Sequence, residues 1–474
     1  MSLVLLFLAI AAGSYLRFAN LGALEMSPDE GDLWATASAP SVSEVIARQT
    51  QLDAGKLPVD DLMLHGWIGL FGSSMAAMRA MSAAFGVVSI LLVYFVSREM
   101  FANADGGESG LAIDESRIVA GVSAIVFAVN LVSIKYSREA RMYPLMLAAV
   151  LAQVGMFLRA LRRGGAANYV AVTMLTALAI GTHFAAALVP ASEGIWLAYN
   201  FARARLRPAD AAARHGFALV IALAAGGCIL APQLFSTLHT VTEVARGGIA
   251  HAHCGFCGCC GTARPPLYAP LTLFNKATGS VTFPILAALA IWGVIRGWRR
   301  GAHDAVGFAL LWMWGAPLMM MLVSYALRPM LVERYALASF VPFFIVVGLG
   351  IFEMPSDLVR ISALVLAVAF SAGHIVSYLG KPHDAQYREA IAVADAALKP
   401  GETMTAVPAY AINVLRYYLP ADRLDRAIRY DPSTSNSAVF IMGDQGLEPD
   451  EARTYGKEYP HTIARLRGVT VMRK

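Results

Sequence analysis

The stretch YALASFVPFFIVVGLGIF, residues 335–352, is apolar along nearly its whole length and contains no charged side chain. As a helix it would rise about 27 Å, close to the ~30 Å hydrocarbon core of a bilayer. Similar runs recur along most of the 474-residue chain, in which 57% of residues are hydrophobic and 15% are charged. A soluble protein of this size has about a quarter of its residues charged. The sequence therefore predicts an all-α polytopic membrane protein.

We expect about eleven membrane spans of sufficient length. They are placed at 2–19, 79–97, 118–134, 143–159, 169–183, 185–202, 216–236, 279–296, 305–326, 335–352 and 358–379. The arginine clusters at 159–163, 203–214 and 296–300 all fall on one side of the membrane in this arrangement. Because short arginine-rich loops face the cytoplasm, the first loop (20–78), the cysteine-rich loop (237–278) and the tail are predicted on the opposite side.

Two domains are predicted, a transmembrane domain over 1–380 and a small extracytoplasmic α/β domain over 381–474. In the tail, charges become frequent, and YREAIAVADAALKPGETMTAVPA indicates an amphipathic helix, a turn and a strand. NSAVFIMG and VTVMRK indicate further strands. The first apolar segment lacks a basic region before it, so we expect a retained span rather than a cleaved signal.

The first loop begins with helix-start residues that are also candidates for chemistry. In SPDEGDLWATASA, Ser27 suits the N-cap, Pro28 the first helical position, and Asp29 and Glu30 the first turn. SVSEVIARQTQL predicts a second short surface helix. The two carboxylates either interact only with the helix dipole, or act as a general base or bind a divalent cation. Further polar residues of this loop are Lys56, Asp60, Asp61 and His65.

Two more polar clusters lie at predicted membrane boundaries on the same side. KYSREARMYP, residues 135–144, contains Arg138, Glu139, Arg141 and Tyr143, and RPMLVERYALASFVP contains the Arg334–Tyr335 pair. Such residues either anchor the chain among lipid headgroups or bind phosphate, because a guanidinium group suits two-pronged phosphate binding. His183 in GTHF is a packing residue or a part of the same cavity.

Four of the five cysteines lie in HAHCGFCGCCG: Cys254, Cys257, Cys259 and Cys260, beside His251 and His253. Because this loop is predicted outside the cytoplasm, loop-closing disulfides are the favoured interpretation. A metal site that uses His251, His253, Cys254 and Cys257 is the alternative. No connectivity follows from the sequence.

Five stretches, in this order along the chain, resemble a known family over roughly residues 1–350. They are the acidic pair, GKLPVDDLMLHGWIGLFGSSMAAMRAMSAAFG, YSREARMYPLML, GTHFAAAL and ERYALASFVP. The family comprises the polytopic lipid-phosphate-sugar-dependent glycosyltransferases of the C-type fold. It includes protein O-mannosyltransferases and the bacterial enzyme that adds aminoarabinose to lipid A. The tail resembles the small domain that ends many bacterial members.

The resemblance implies roles for matched residues. Asp29 matches the family's base on the acceptor hydroxyl, with Glu30 as its neighbour. Lys56, Arg138, Arg141, Arg334 and Tyr335 are the predicted donor-phosphate-binding residues. The predicted substrate cavity is formed by Asp60, Asp61, His65, Glu139, Tyr143 and His183. No cofactor is implied with certainty; a divalent metal ion at Asp29 and Glu30 is the candidate.

The predicted function is transfer of a sugar from a polyprenyl-phosphate donor to a lipid, polysaccharide or protein acceptor outside the cytoplasm. We expect the protein in the bacterial inner membrane, with membrane lipid around it and the site facing the periplasm or exterior. The net charge of +5 does not indicate nucleic acid, since the basic residues lie in short loops. The alternatives are a glycan ligase with a polyprenyl-diphosphate donor and a transporter.

Overall fold

The structure is a computed structural model that describes residues 2–52, 57–102, 111–204, 211–231, 265–326, 331–380, 385–407, 411–429, 437–443 and 449–474. The fold is mostly helical. The first helices are α1 (Ser2–Phe18), α2 (Pro28–Ala37), α3 (Val42–Leu52), α4 (Val59–Phe71), α5 (Met75–Phe101), α6 (Ile113–Ala128), α7 (Leu131–Ser137), α8 (Tyr143–Arg163), α9 (Ala166–Thr182), α10 (Leu188–Ala204) and α11 (Ala211–Ile229). The later helices, up to residue 380, are α12 (Ala269–Thr278), α13 (Thr282–Arg299), α14 (His303–Ala326), α15 (Leu337–Phe352) and α16 (Asp357–Gly380).

The protein is a polytopic membrane protein, as predicted. Within the described ranges, five helices are long and apolar enough to cross a membrane. The number rises to seven if two bent pairs, α6 with α7 and α12 with α13, each form one span. Shorter apolar helices are Ser2–Phe18, Ala166–Thr182 and His215–Ile229. Each predicted span overlaps a helix, but the count of about eleven stays a prediction.

The chain forms two compact units. The first unit comprises Met1–Ala19, Ala54–Asp60 and Ala80–Leu379. The second unit comprises Asn20–Asp53, Asp61–Arg79 and Gly380–Lys474, so most of the first loop shares a unit with the tail. The predicted division into domains 1–380 and 381–474 stays a prediction.

Helix α15, which contains most of the apolar stretch 335–352, is buried along its entire length in the first unit. It meets α13 at two glycines. An added Cβ at Gly293 would meet the carbonyl oxygen of Val346, and one at Gly350 would meet that of Leu289. Because glycine lets two helix backbones approach closely, these positions allow α13 to pack directly against the central helix.

The predicted span 118–134 is broken between α6 and α7, whose axes differ by 62°. The side-chain oxygen of Asn130 accepts the backbone N–H of Val132 at 3.0 Å, which caps the start of α7. Two helices before residue 381 were not predicted: α4 in the first loop, and α12 in the cysteine-rich loop.

The tail contains α17 (Tyr387–Ala397), β1 (Met404–Val407), α18 (Ile412–Tyr418), β2 (Val439–Gly443), α19 (Pro449–Glu458), β3 (His461–Leu466) and β4 (Val469–Arg473). The sheet order is β1-β2-β4-β3, with β1 parallel to β2 and the other pairs antiparallel. The amphipathic helix and three strands (β1, β2 and β4) are confirmed. Strand β3 was missed because its exposed side chains show no buried alternation.

Candidate functional site

Basic side chains and aromatic rings gather around residues 135–143 of the first unit. Three cations lie over tyrosine rings, with cation-to-centroid distances of 5.1, 5.5 and 5.7 Å: Lys135 over Tyr136, Arg141 over Tyr143 and Arg334 over Tyr335. A cation within about 6 Å of a ring centroid is attracted by the negative face of the ring. We call these six residues the cation–tyrosine cluster. Arg141 and Arg334 were predicted donor-binding residues, whereas Lys135 was not.

His183 lies among these rings. Its centroid is 5.6 Å from that of Tyr143, 5.0 Å from that of Tyr335 and 4.5 Å from that of Phe184. Its Nδ1 accepts the backbone N–H of Ala185 at 3.1 Å, and the side chain thereby caps the short turn that follows α9. The structure therefore brings Tyr143 and His183, which were predicted to line the substrate cavity, together with Tyr335, a predicted donor-phosphate-binding residue.

The charges of the cluster converge. Arg334 donates a hydrogen bond to the Tyr335 side chain, and the charges of Arg334 and Arg141 both act on this tyrosine. Tyr335 is only 5% exposed, while Lys135, Arg141 and Arg334 are half-buried. The buried tyrosine rings therefore lie against the charged groups of three half-buried cations. Such an arrangement suits an anionic group with several oxygens, such as a phosphate.

Two acidic side chains accompany these cations. The charges of Glu139 and Glu333 act on the Tyr136 side chain, as does that of Arg334. Glu139 was predicted to line the substrate cavity, and it lies in the same segment as Arg141. The three cations of the cluster outnumber these two carboxylates, so the net charge around the tyrosines is positive and attracts an anion.

Arg138, a predicted donor-binding residue, is 3% exposed. Its Nη1 donates to the carbonyl oxygens of Leu16 at 3.0 Å and Ala19 at 2.6 Å, which lie at the end of α1. Capping the carbonyl end of a helix stabilises both the helix and the cation. This geometry favours a positioning role for Arg138 in the segment that precedes Arg141.

Arg17 makes the reciprocal connection from α1 to the break after α6. Its fully buried guanidinium donates to the carbonyl oxygens of Gly13 and Ala128, each at 3.0 Å, and to Oγ of Ser133 at 2.9 Å. Ala128 is the last residue of α6. Arg138 thus caps the carbonyl end of α1, which contains Arg17, and Arg17 caps the carbonyl end of α6, so the two arginines hold both sides of the break before α7. We call this pair the arginine lock.

The acidic pair of the first loop lies in the second unit. The predicted helix start is confirmed: Ser27 and Glu30 form a capping box at the start of α2. Glu30 is 1% exposed, and its two carboxylate oxygens accept from Nε and Nη2 of Arg79, both at 2.8 Å. Arg79 also donates to the carbonyl oxygens of Leu21 and Leu24. Glu30 therefore takes part in a buried two-pronged ion pair, whereas Asp29 is exposed.

The other predicted residues have varied surroundings. Asp60 and Asp61 are buried, and Nδ1 of His65 forms a hydrogen bond with the carbonyl oxygen of Ala37 at 2.8 Å. Several predicted residues lie outside the described part of the chain: Lys56, His251, His253, Cys254, Cys257, Cys259 and Cys260. Their predicted roles stay predictions.

The proposed metal site at Asp29 and Glu30 fits the structure poorly. Both carboxylate oxygens of Glu30 face the guanidinium of Arg79, so they point at a positive charge rather than at space for a cation. Among the described residues, no group of three His, Cys, Asp or Glu side chains is placed to hold a metal ion.

Several residues that take part in the contacts of the two units were not predicted: Arg17, Arg79, Lys135, Tyr136 and Phe184. A sequence signal did exist for the first two, since each is an arginine at the edge of an apolar helix on the predicted extracytoplasmic side. Their partners are distant in sequence, so the signal did not show which groups they bind.

The fold is similar to that of two glycosyltransferases of the C-type fold. ArnT from Cupriavidus metallidurans, in the apo state, has a TM-score of 0.65 at 14% identity, covering 98% of this chain and 97% of that one. The same protein bound to undecaprenyl phosphate gives 0.62 at 12% identity, with coverage of 98% and 97%. The archaeal oligosaccharyltransferase AglB from Archaeoglobus fulgidus, in complex with an inhibitory peptide and a dolichol-phosphate, gives 0.60 at 11% identity, covering 94% and 69%.

These identities establish a shared fold. No family model matches the chain, and no curated protein matches it in sequence. The resemblance to the C-type glycosyltransferases that the ordered motifs indicate is confirmed at the level of the fold, over nearly the whole chain.

Proposed function

We propose that the protein is a membrane glycosyltransferase that moves a sugar from a polyprenyl-phosphate donor to a hydroxyl group of an extracytoplasmic acceptor. The observation that supports this most is the cation–tyrosine cluster, in which three cations converge on buried tyrosines. The similarity to ArnT and AglB supports the class of reaction. The acceptor is a lipid, a polysaccharide or a protein, and the membrane is the bacterial inner membrane with the cluster on its outer side.

In this reaction, the bond between the sugar's anomeric carbon and the donor phosphate oxygen breaks, and a bond to the acceptor oxygen forms. The electron pair of the broken bond leaves with the phosphate. Arg141, Arg334 and Lys135 stabilise the charge that develops on the phosphate oxygens, because fixed cations in a partly water-excluded site need no reorganisation. Arg334 and Arg141 also have the fork geometry that matches two phosphate oxygens.

The acceptor hydroxyl loses its proton as it attacks. Asp29 accepts this proton and acts as general base, a role for which its exposed carboxylate at the start of α2 is suited. Glu30 instead holds α2 through Arg79, and Arg138 positions the segment that precedes Arg141. Lys56 remains a proposed ligand of the donor phosphate, and Asp60, Asp61, His65, Glu139 and His183 remain proposed cavity residues.

Donor binding tests this assignment. Purified protein in nanodiscs should bind polyprenyl phosphate, and Arg141→Ala, Arg334→Ala and Lys135→Ala should each weaken binding about tenfold or more, because a charge-assisted hydrogen bond contributes roughly 1.5–3 kcal/mol. Arg388→Ala is the matched control, since Arg388 lies 5.1 Å from the centroid of Tyr418 in the second unit. Equal binding by all four variants would contradict the proposed donor site.

A second candidate is a ligase that transfers a preassembled glycan from a polyprenyl diphosphate. It is supported by the similarity to AglB, an oligosaccharyltransferase, and three cations suit the larger charge of a diphosphate. Competition between polyprenyl phosphate and polyprenyl diphosphate for binding to the same nanodisc preparation distinguishes the transferase from the ligase. Tighter binding of the monophosphate supports the transferase, and tighter binding of the diphosphate supports the ligase.

A further inference from the structure

Helix α2, which carries Asp29, packs against helix α18 of the tail within the second unit. The two helices approach most closely at Gly31 and Val414. A Cβ added to Gly31 would lie 2.9 Å from Cγ2 of Val414 and 3.1 Å from its backbone nitrogen. Only glycine therefore fits this contact without a displacement of one of the helices. The distance between α2 and α18 is thus fixed at Gly31, two residues after Asp29.

Polar contacts from the tail lie on both sides of Asp29. Before it, the hydroxyl of Tyr418 accepts the backbone N–H of Met26 at 2.9 Å. After it, Nδ2 of Asn413 donates to Oδ1 of Asp32 at 2.8 Å. These two contacts flank the first turn of α2, which contains the exposed carboxylate.

Two further contacts reinforce the same packing. The backbone N–H of Arg388 donates to the carboxylate of Glu25 at 2.8 Å, and the rings of Trp34 and Tyr417 meet edge to face with centroids 5.2 Å apart. Edge-to-face aromatic pairs are directional, so this contact also limits rotation of α2 about its axis. Contacts from two helices of the tail therefore extend from Glu25, which α17 contacts, to Trp34, which α18 contacts.

We propose that the tail helix α18 is a positioning element of the transferase, which holds the first turn of α2 so that the Asp29 carboxylate is oriented for proton removal. This inference rests on the proposed function. Asn413, Val414 and Tyr418 are its positioning residues, and they act through α2 rather than on a substrate. The tail is thereby assigned an indirect part in the acceptor step, through α2, and no part in donor binding.

Gly31→Ala tests this with a single methyl group. Alanine favours a helix more than glycine does, so α2 itself is not weakened. The methyl group must displace α2 from Val414. A misplacement of about 1 Å can lower a rate 100-fold, and we expect kcat to fall about 10- to 100-fold with unchanged affinity for polyprenyl phosphate. Gly66→Ala on α4 is the control, because no atom lies within 4 Å of its added Cβ.

A second set of variants tests the polar contact and includes a rescue. Asn413→Asp places two carboxylates at the 2.8 Å contact with Asp32, and should lower kcat by a similar factor. Adding Asp32→Asn restores one amide and one carboxylate, with the donor and acceptor exchanged. We expect the double variant to recover most of kcat, which a general loss of folding would not allow.

Hydrogen exchange of the backbone amides of residues 28–37 provides a readout that does not depend on activity. Gly31→Ala and Asn413→Asp should speed exchange in this segment, and Gly66→Ala should leave it unchanged. Unchanged exchange and kcat in both test variants would overturn the positioning role. A wild-type protein without transferase activity would instead refute the proposed function, while the exchange result would still decide whether α18 holds α2.

Discussion

Replacing Arg79 with methionine should destabilise the second unit strongly. The guanidinium forms two 2.8 Å hydrogen bonds to Glu30, and the side chains of the two residues are only 2% and 1% exposed. Arg79→Met leaves the Glu30 carboxylate buried without its counter-charge. Breaking a buried ion pair by removing one partner costs about 3–5 kcal/mol. We expect a loss of this size in the free energy of unfolding of the second unit.

The double variant Arg79→Met/Glu30→Gln separates the charge from the other contacts. Glutamine keeps an oxygen that accepts from the backbone N–H and hydroxyl of Ser27, so the capping box survives. The carbonyl oxygens of Leu21, Leu24 and Glu25 still lose their donor, at about 1 kcal/mol each. The double variant should therefore recover part of the lost stability, but not all of it.

Pulse proteolysis of the full-length protein across a urea series measures both variants. Cleavage sites in the second unit report its unfolding, and Arg388→Met is the control for loss of an exposed arginine. The reasoning is refuted if Arg79→Met unfolds at the wild-type urea concentration, or if the double variant is no more stable than the single one. Either result would show that Glu30 does not depend on Arg79, and would restore its predicted catalytic role.

The remaining predictions concern catalysis and the arginine lock. Asp29→Asn should lower kcat by about 10²–10⁴ without changing polyprenyl-phosphate affinity, since it removes only the proton acceptor; steady-state kinetics and binding check this. Arg141→Lys and Arg334→Lys should each lower kcat/KM for the donor about tenfold, because an ammonium cannot reproduce the two aligned hydrogen bonds of the fork; donor-dependent kinetics check this. Arg138→Met and Arg17→Met should reduce thermal stability, whereas Arg141→Met should not, as unfolding in nanodiscs would show.

Each of these predictions has an outcome that contradicts it. Near wild-type turnover by Asp29→Asn would show that another residue is the general base. Full donor efficiency in both lysine variants would make those arginines interfacial anchors. If the Arg138→Met variant were stable but bound the donor weakly, Arg138 would be a donor-binding residue, as the sequence predicted.

The sequence predicts local features of this fold well. Apolar length identifies the helices, alternation identifies three strands, and Ser27 with Glu30 identifies the start of α2, because each depends on residues close together in the chain. The break at Asn130 was not predicted, since its cap depends on one side chain inside an otherwise apolar segment.

Long-range pairing is what the sequence did not reveal. Arg138 and Arg141 are the same residue type in the same segment of sequence. Arg138, however, is buried against the carbonyl oxygens of α1, whereas Arg141 lies over the ring of Tyr143. The predicted cytoplasmic arginine clusters show the same effect: Arg162 pairs with buried Glu99, and Arg300 with buried Glu353. Whether an arginine is a topology signal, a cap or a ligand depends on its neighbours in space.

Transfer of sugar from a lipid-linked donor is the most direct test of the proposed function. Purified protein in nanodiscs would receive polyprenyl phosphates that carry radiolabelled sugars, together with membrane lipid, polysaccharide and protein acceptors. We predict that label moves to one acceptor class with release of an equal amount of polyprenyl phosphate, and that Asp29→Asn abolishes the transfer. Label that stays on the donor lipid with every acceptor, or donor that crosses a proteoliposome membrane unchanged as in a transporter, would contradict it.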